Sequence, residues 1–324
     1  MGPWSIFCFA VVLAANNATW EQAVGEAKQE RQRKDYAAAE RSLQVALREA
    51  VQSGPPSRVA RTLDDLGVLY YDQARYEEAG QYFRRALAAW EELPEDSRDG
   101  FSRTLHNLGV VCRERGELAR AEGFYRRALD ILLGQPVPRH PDTAILMDSL
   151  ATIYYRRRRY PEAERLYREA LRTWDAQPQP DNQEVGAVLN NLALIAMDTR
   201  RPSEARSLLE LALSVRERAG GPEDSGLVKP LMNLGLLQLS GHHPEEAEQV
   251  LRRALAIFEK TQGGDPALAA RILASHARTL RQVHRKAEAK QDERRAKAIL
   301  AALPKSDQQR YAVDVSDLME GAKR

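Results

Sequence analysis

Cysteine, aromatic residues and an excess of charge of one sign are all scarce in this sequence. Only Cys8 and Cys112 are present, and neither has a partner at a recognisable spacing, which excludes a disulfide framework or a zinc knuckle. Aromatic residues make up 6% of the 324 residues, fewer than a β-sandwich needs. The 48 basic and 46 acidic side chains nearly cancel, which argues against a general polyanion binder.

The longest uncharged apolar run lies near the N-terminus. Residues Trp4 to Ala15 carry no charge and are too few to span a bilayer. Small residues at Ala14, Ala15 and Ala18 follow, as in the cleavage region of a secretory signal, although no Lys or Arg precedes the run. We expect residues 1–18 to form a signal peptide and the protein to be exported, either periplasmic or secreted. The alternative is an apolar cap on the first helix of a cytoplasmic protein.

The rest of the chain repeats itself every 42 residues. A Leu-Gly or Leu-Ala step recurs at this spacing from Leu66-Gly67 to Leu234-Gly235. Two further columns contain only alanine: Ala79, Ala121, Ala163, Ala205, Ala247 and Ala289, and Ala86, Ala128, Ala170, Ala212, Ala254 and Ala296. An earlier copy, offset by 40 residues, carries Ala39 and Ala46. Such a period indicates a repeat protein whose units must stack to bury their apolar faces.

Each repeat is predicted to contain two amphipathic helices, because apolar residues recur at three- and four-residue spacings. Proline-containing stretches such as SGPPS and AQPQPDN separate successive repeats and end one helix before the next begins. Gly and Ala columns allow the paired helices to approach closely. The predicted fold is all-α, with a C-terminal tail at 304–324. The predicted units lie near residues 20–58, 59–100, 101–142, 143–184, 185–226, 227–266 and 267–303.

Two of these repeats, LGVLYYDQARYEEAGQYFRRAL and LATIYYRRRRYPEAERLYREAL, resemble tetratricopeptide repeats (TPRs). The usual repeat has about 34 residues, and the longer form here is similar to the repeats of kinesin light chains, as is the segment RHPDTA. The resemblance covers residues 20 to 303. It implies a right-handed superhelical solenoid of about seven antiparallel helix pairs. It also implies that the first helix of each pair lines a concave groove that binds peptides.

The stretch YYRRRRY, from Tyr154 to Tyr160, places four arginines between tyrosines and could be read as a nucleic-acid patch. The corresponding stretches of other repeats read DQAR, RERG, DTRR, SGHH and QVHR. We therefore interpret Arg156 to Arg159 as a variable, solvent-facing turn, and the tyrosines as packed repeat positions. Cations also suit the carbonyl end of a helix. This interpretation argues against a nucleic acid as partner.

The sequence offers little chemistry of the kind that enzymes use. It contains no GxxxxGK[ST], GxGxxG, HExxH or GxSxG motif. His242 and His243 are the best candidates for metal ligands. Their position is explained without a metal, because they occupy the turn before the proline that begins a helix. Cys112 matches Tyr70 of another repeat and is interpreted as a buried, inert thiol. We expect no catalytic activity, no metal and no cofactor.

Two columns on the predicted groove face remain as candidates for partner binding. Asparagine can pair with the backbone of a ligand strand, although it can also simply face water. One column reads Asp65, Asn107, Ser149, Asn191, Asn233 and Ser275, and the other, four residues earlier, reads Arg61, Arg103, Ile145, Ala187, Lys229 and Arg271. The predicted partner-binding residues are Arg61, Arg103, Asn107, Asn190, Asn191, Lys229, Asn233 and Arg271.

The sequence therefore predicts a non-enzymatic protein-interaction scaffold that binds a peptide or a partner protein segment in its groove. Basic residues near both ends of the array, with apolar residues between them, suit a partner with an apolar centre and acidic ends. The alternative is a structural or assembly component that uses the convex face or the ends of the array.

Overall fold

A computed structural model describes residues 20–93, 98–134, 141–176, 182–261 and 264–303 of the chain. The expected signal peptide at 1–18 and the tail at 304–324 lie outside these ranges. Within them the chain is helical and contains no β-strand, which confirms the predicted all-α fold. A short 3-10 turn, Ser225–Leu227, precedes α11.

The described ranges contain fourteen α-helices. Their bounds are α1 (20–32), α2 (Tyr36–Ser53), α3 (Pro56–Asp72), α4 (Tyr76–Glu91), α5 (Arg98–Glu114), α6 (Leu118–Leu133), α7 (Pro141–Arg156), α8 (Tyr160–Asp175), α9 (Asn182–Asp198), α10 (Pro202–Gly220), α11 (Val228–Ser240), α12 (Pro244–Lys260), α13 (Pro266–Gln282) and α14 (Lys286–Ala302).

The chain divides into two compact parts, Met1–Leu166 and Tyr167–Arg324, and the division falls within α8. In the N-terminal part α3 packs against α4 and α5 against α6, while α2, α4 and α6 each contact the helix that follows. In the C-terminal part the pairs are α9 with α10, α11 with α12, and α13 with α14. Each part is thus a stack of helical hairpins, as the repeat predicts.

The small-residue columns are the places where paired helices come closest. All twelve alanines of the two alanine columns are 0% exposed. A Cβ atom added to Gly67 would lie 2.5 Å from the ring of Phe83, and one added to Gly109 would lie 2.4 Å from the ring of Tyr125. No side chain fits there without moving the aromatic ring, because real carbon–carbon contacts are about 3.5–4.0 Å. The register read from the sequence is therefore confirmed.

The turn inside each repeat has one residue in the left-handed backbone region. Its positions are Lys34 and, 40 residues later and then at the 42-residue spacing, Ala74, Gly116, Arg158, Arg200, His242 and His284, with φ between 57° and 77°. The next residue then donates its N–H to a carbonyl five residues back, as Arg75 does to Tyr70 at 3.0 Å. This is the bond that closes a helix C-terminus after a left-handed residue. Glycine occupies the position only at Gly116.

The arginine turn after α7 differs from its sequence interpretation. Arg157 and Arg159 both bond to the carboxylate of Glu122 on α6, which is 5% exposed. The guanidinium of Arg159 also lies 4.3 Å from the ring centroid of Tyr154. Tyr154 is buried, as predicted. Arg156 to Arg158 are exposed, as interpreted, but Arg157 and Arg159 also bond to a carboxylate on the preceding repeat, which the interpretation did not include.

Similar contacts tie other repeats to their predecessors. Arg75 lies 4.4 Å from the ring centroid of Tyr70, whose hydroxyl donates to Glu40 at 2.7 Å. In the C-terminal part Arg285 donates to the buried Glu248 at 2.7 Å. Charged turn residues thus help to fix the stacking of neighbouring hairpins.

Candidate functional site

Two pockets open on the side of the first helices in the N-terminal part. One, of about 490 Å³, lies between α1 and α3 and is lined by Lys28, Arg31, Arg61, Asp65 and Val68 among others. The other, of about 460 Å³, is called here the Trp90 pocket. Its lining residues are Trp20, Glu21, Pro55, Ser57, Arg58, Arg61, Trp90, Asp99, Gly100 and Arg103. Arg61 lines both pockets, so they are neighbours.

The Trp90 pocket combines two indoles with exposed cations. Arg58 stacks over Trp20 at 4.7 Å from its ring centroid and is only partly exposed. Arg61 and Arg103 are exposed, and no carboxylate in the described ranges lies within ion-pair distance of either. The sequence predicted both as partner-binding residues, and the structure brings them to one pocket. Two exposed guanidinium groups in one pocket can bind a carboxylate.

Asp64, which sequence reasoning did not single out, lies behind this pocket. Its Oδ2 atom accepts hydrogen bonds from Thr104 Oγ1 at 2.6 Å and from Trp90 Nε1 at 3.1 Å. Its Oδ1 atom has no hydrogen-bond partner in the described part of the chain. Burial raises the pKa of this carboxyl to about 6, although the two hydrogen bonds and the charge of Arg103 oppose the shift.

Asp65, the next residue, belongs to the predicted groove column and lines the pocket between α1 and α3. Burial raises its pKa, and the charges of Arg61, Arg103 and Arg31 act in the opposite direction. These three cations therefore share one negative neighbour without forming a close ion pair with it. Arg31 is already paired with Asp72 at 2.9 Å, whereas Arg61 and Arg103 remain able to attract a further anion.

The asparagines of the C-terminal part are less available than the sequence implied. Asn233 is 3% exposed, and its Nδ2 atom donates to Oδ1 of Asn190, itself 6% exposed, at 2.8 Å. Asn233 is therefore buried rather than turned out of the core, contrary to its predicted place on the groove face, and Asn190 is its structural partner. A polar residue at this depth is stable because the two amides satisfy each other across adjacent repeats. Asn107 and Asn191 are half-buried.

The same cross-repeat pairing occurs in the N-terminal part. His106 Nε2 and Ser149 Oγ lie 3.1 Å apart, on α5 and α7. Burial, and then the charge of Arg113, lower the pKa of His106 to about 4, so the ring is neutral at pH 7. Some side chains of the polar column therefore form hydrogen bonds to the neighbouring repeat and are not free to bind a ligand.

The two predicted cations of the C-terminal part lie on α11 and α13. Lys229 is exposed and Arg271 is half-buried. The Nε atom of Arg271 is buried and has no hydrogen-bond partner within the described ranges. Both remain candidates for partner contacts in that part.

Cys112 is 6% exposed, as the sequence predicted, and burial raises the pKa of its thiol. A thiol that stays protonated is a poor nucleophile. In the ranges that the structure covers, no three His, Cys, Asp or Glu side chains could hold a metal ion together. Nor does any helix in those ranges have the length and apolar character needed to cross a membrane.

Comparison with solved structures identifies arrays of the same kind. BtubC (BKLC) from P. vanneervenii has a TM-score of 0.58 and 24% identity, with 71% of this chain and 89% of that chain covered. A putative kinesin light chain from Podosopora anserina with TPR-like repeats has a TM-score of 0.53 and 20% identity, covering 64% and 98%. The apo form of the quorum sensor NprR from B. thuringiensis has a TM-score of 0.62 and 16% identity, covering 92% and 86%.

No curated protein sequence matches the chain. The family model described as tetratricopeptide repeat matches residues 16–92, 58–134, 100–176 and 184–260, which together exceed half of the chain. Each match spans about two of the 42-residue repeats read from the sequence. The solved structures show the same repeat type, including its kinesin-light-chain-like form. The chain therefore belongs to the tetratricopeptide-repeat family of helical protein-interaction scaffolds.

Proposed function

We propose that the first-helix face of the N-terminal repeats binds an extended partner segment that carries carboxylates. The observation that supports this most directly is the Trp90 pocket, where Arg61 and Arg103 are exposed beside Trp20 and Trp90. Neither arginine is committed to an ion pair within the described ranges. A partner carboxylate would gain charge-assisted hydrogen bonds from these two guanidinium groups.

The affinity expected from such contacts is modest for each residue and depends on salt. Exposed ion pairs contribute about 0.2–1 kcal/mol each, so several repeats must act together to hold a segment firmly. Screening weakens the charged contacts as ionic strength rises, because the Debye length falls to about 8 Å near 0.15 M. In the C-terminal part, Lys229 and Arg271 offer positive charges that could contact carboxylates of a partner.

The test uses a defined probe. Peptides are selected from a displayed random library on the wild-type chain, and one enriched peptide is synthesised with a fluorophore. Its affinity is measured by fluorescence anisotropy at low and high salt. We expect the enriched peptides to be rich in Asp and Glu. The double variant Arg61→Glu and Arg103→Glu should bind at least about ten-fold more weakly, since two attractive charge contacts become repulsive.

The matched control is Arg84→Glu. Arg84 is an exposed arginine on α4, the second helix of its hairpin, and it lines neither pocket. This variant should bind as the wild type does. If the double variant and the control bind equally well, or if the selected peptides carry no excess of acidic residues, the pocket is not the binding site. The convex face or the array ends then become the better candidates.

A further inference from the structure

The buried carboxyl of Asp64 is connected directly to the wall of the Trp90 pocket. The indole of Trp90 donates to Asp64 Oδ2 at 3.1 Å, and Trp90 also lines the pocket. Gly100, another lining residue, lies against the same indole so closely that a Cβ atom there would be 2.4 Å from Trp90 Cζ2. A change in the bonding of Asp64 therefore acts on two lining residues at once.

The hydroxyl of Thr104 makes this connection bistable. Its oxygen lies 2.6 Å from Asp64 Oδ2 and 3.0 Å from the carbonyl oxygen of Gly100. A hydroxyl has one proton and can donate to only one of these two acceptors at a time. When Asp64 is ionised, the hydroxyl donates to the carboxylate, since bonds to a charged acceptor are stronger. When Asp64 is protonated, its own O–H can donate to Thr104, and the Thr104 hydroxyl turns to Gly100.

The charges around Asp64 come from two helices. Arg103 on α5 stabilises the ionised form, and Asp65 on α3 opposes it, while α4 contributes the neutral indole of Trp90. Arg103 also lines the pocket, so the negative charge of Asp64 offsets part of the field that Arg103 presents there. Burial raises the pKa of Asp64 to about 6, so most of this offset is lost as the pH falls from 7.5 to 5.5.

We propose that protonation of Asp64 strengthens the binding of a carboxylate-bearing partner in the Trp90 pocket, an inference that rests on the function proposed above. Removal of a negative charge beside Arg103 leaves the pocket more positive, which favours an anion. Linkage is reciprocal, so binding of the partner also raises the pKa of Asp64, and the complex takes up a proton from solvent. Binding is thus tighter at lower pH.

The experiment measures the affinity of the selected acidic peptide at pH 7.5 and 5.5. Aspartate side chains are preferred in this peptide, because their ordinary pKa of about 3.9 keeps them ionised over this range. We expect the wild type to bind about three- to ten-fold more tightly at pH 5.5, the size of one charge acting through partly hydrated protein. Asp64→Asn, which is neutral throughout, should bind with nearly the same affinity at both values.

Two further measurements separate this mechanism from a merely structural role. Thr104→Val removes a donor to the carboxylate and should move the midpoint of the pH dependence to higher pH. The indole N–H resonance of Trp90, followed by NMR in the unliganded chain, should titrate with a midpoint near 6 in the wild type and not in Asp64→Asn. A Trp90 resonance that does not move between pH 7.5 and 5 overturns the inference.

The outcomes also separate this inference from the proposed function. A peptide affinity that has the same pH dependence in wild type and Asp64→Asn overturns the role of Asp64. If the reversal of Arg61 and Arg103 still weakens binding in that case, the pocket remains the binding site. If that reversal has no effect at either pH, the proposed function fails, and the inference about Asp64 fails with it.

Discussion

The carboxylate of Glu122 connects α6 to the turn after α7, and its replacement tests how much this contact stabilises the stack. Three guanidinium groups meet it: Arg126 at 2.7 Å, Arg159 at 3.5 Å, and Arg157. The Glu122 side chain is 6% exposed, whereas those of Arg126, Arg157 and Arg159 are 51%, 43% and 38% exposed. Glu122→Gln keeps the shape of the side chain and one acceptor but removes the charge.

The magnitude follows from these exposures. Hydrogen bonds to charged groups contribute about 1.5–3 kcal/mol, but partly exposed arginines rehydrate when their partner is removed, so the full value is not lost. The substitution also relieves the cost of burying a carboxylate. We therefore expect Glu122→Gln to lower the free energy of unfolding by about 1–2 kcal/mol. The loss is smaller than the full contribution of a charged hydrogen bond, because rehydration of the arginines and removal of a buried charge offset part of it.

The assay combines urea denaturation with hydrogen exchange measured by mass spectrometry, because repeat arrays can open locally. Exchange should accelerate in α6 and α7. The control is Glu91→Gln, which removes an inter-repeat pair with Arg127 at 2.9 Å whose two side chains are 47% and 51% exposed. The control should change stability by less than about 0.5 kcal/mol. If the two substitutions lower the free energy of unfolding equally, the burial of Glu122 does not strengthen its contribution to stability.

Four further predictions concern the backbone of the turns, the pH dependence of stability at Asp64 and at His106, and processing of the N-terminus. Gly116→Ala should lower stability and Arg158→Gly should raise it, each by about 1 kcal/mol in urea denaturation, because both positions have φ above 50°; no change in either variant contradicts the turn geometry. Below about pH 4 the protonated Asp64 should stabilise the wild type relative to Asp64→Asn. This stabilisation should be lost as the pH rises through 6, because the pKa of Asp64 is raised from 3.8 in the folded chain. The same dependence of unfolding free energy on pH in both chains would exclude this. The contribution of His106 to stability should depend on pH in the opposite direction. Compared with His106→Gln, the histidine should stabilise the fold above pH 6.5, and this stabilisation should be lost as the pH falls to 4. Mass spectrometry of the natural protein should find a mature terminus between Asn16 and Thr19, and an intact Met1 would contradict export.

The sequence by itself determined the repeat, the helices and the close contacts. Positions such as Gly67 and Ala79 follow a fixed period, and a residue without a large side chain is required wherever two helices touch. The burial of Cys112 follows from the same register. Periodicity is a local property of the chain, so it can be read without knowing how neighbouring repeats contact each other. It also placed Arg61 and Arg103 in equivalent positions, 42 residues apart.

Only the tertiary structure decided which polar groups pair and which remain available. Asn233 bonds to Asn190 across 43 residues, and Arg157 reaches Glu122 across 35. Such contacts join residues on different repeats at recurring spacings, since Arg285 meets Glu248 across 37 residues as Arg159 meets Glu122. The columns themselves do not show that these side chains meet, because the contact depends on how one repeat packs on the next. The raised pKa of Asp64 likewise depends on burial beneath Trp90 and on the direction of one hydroxyl proton. Packing sets these quantities, because the energy of a charge depends on everything that surrounds it.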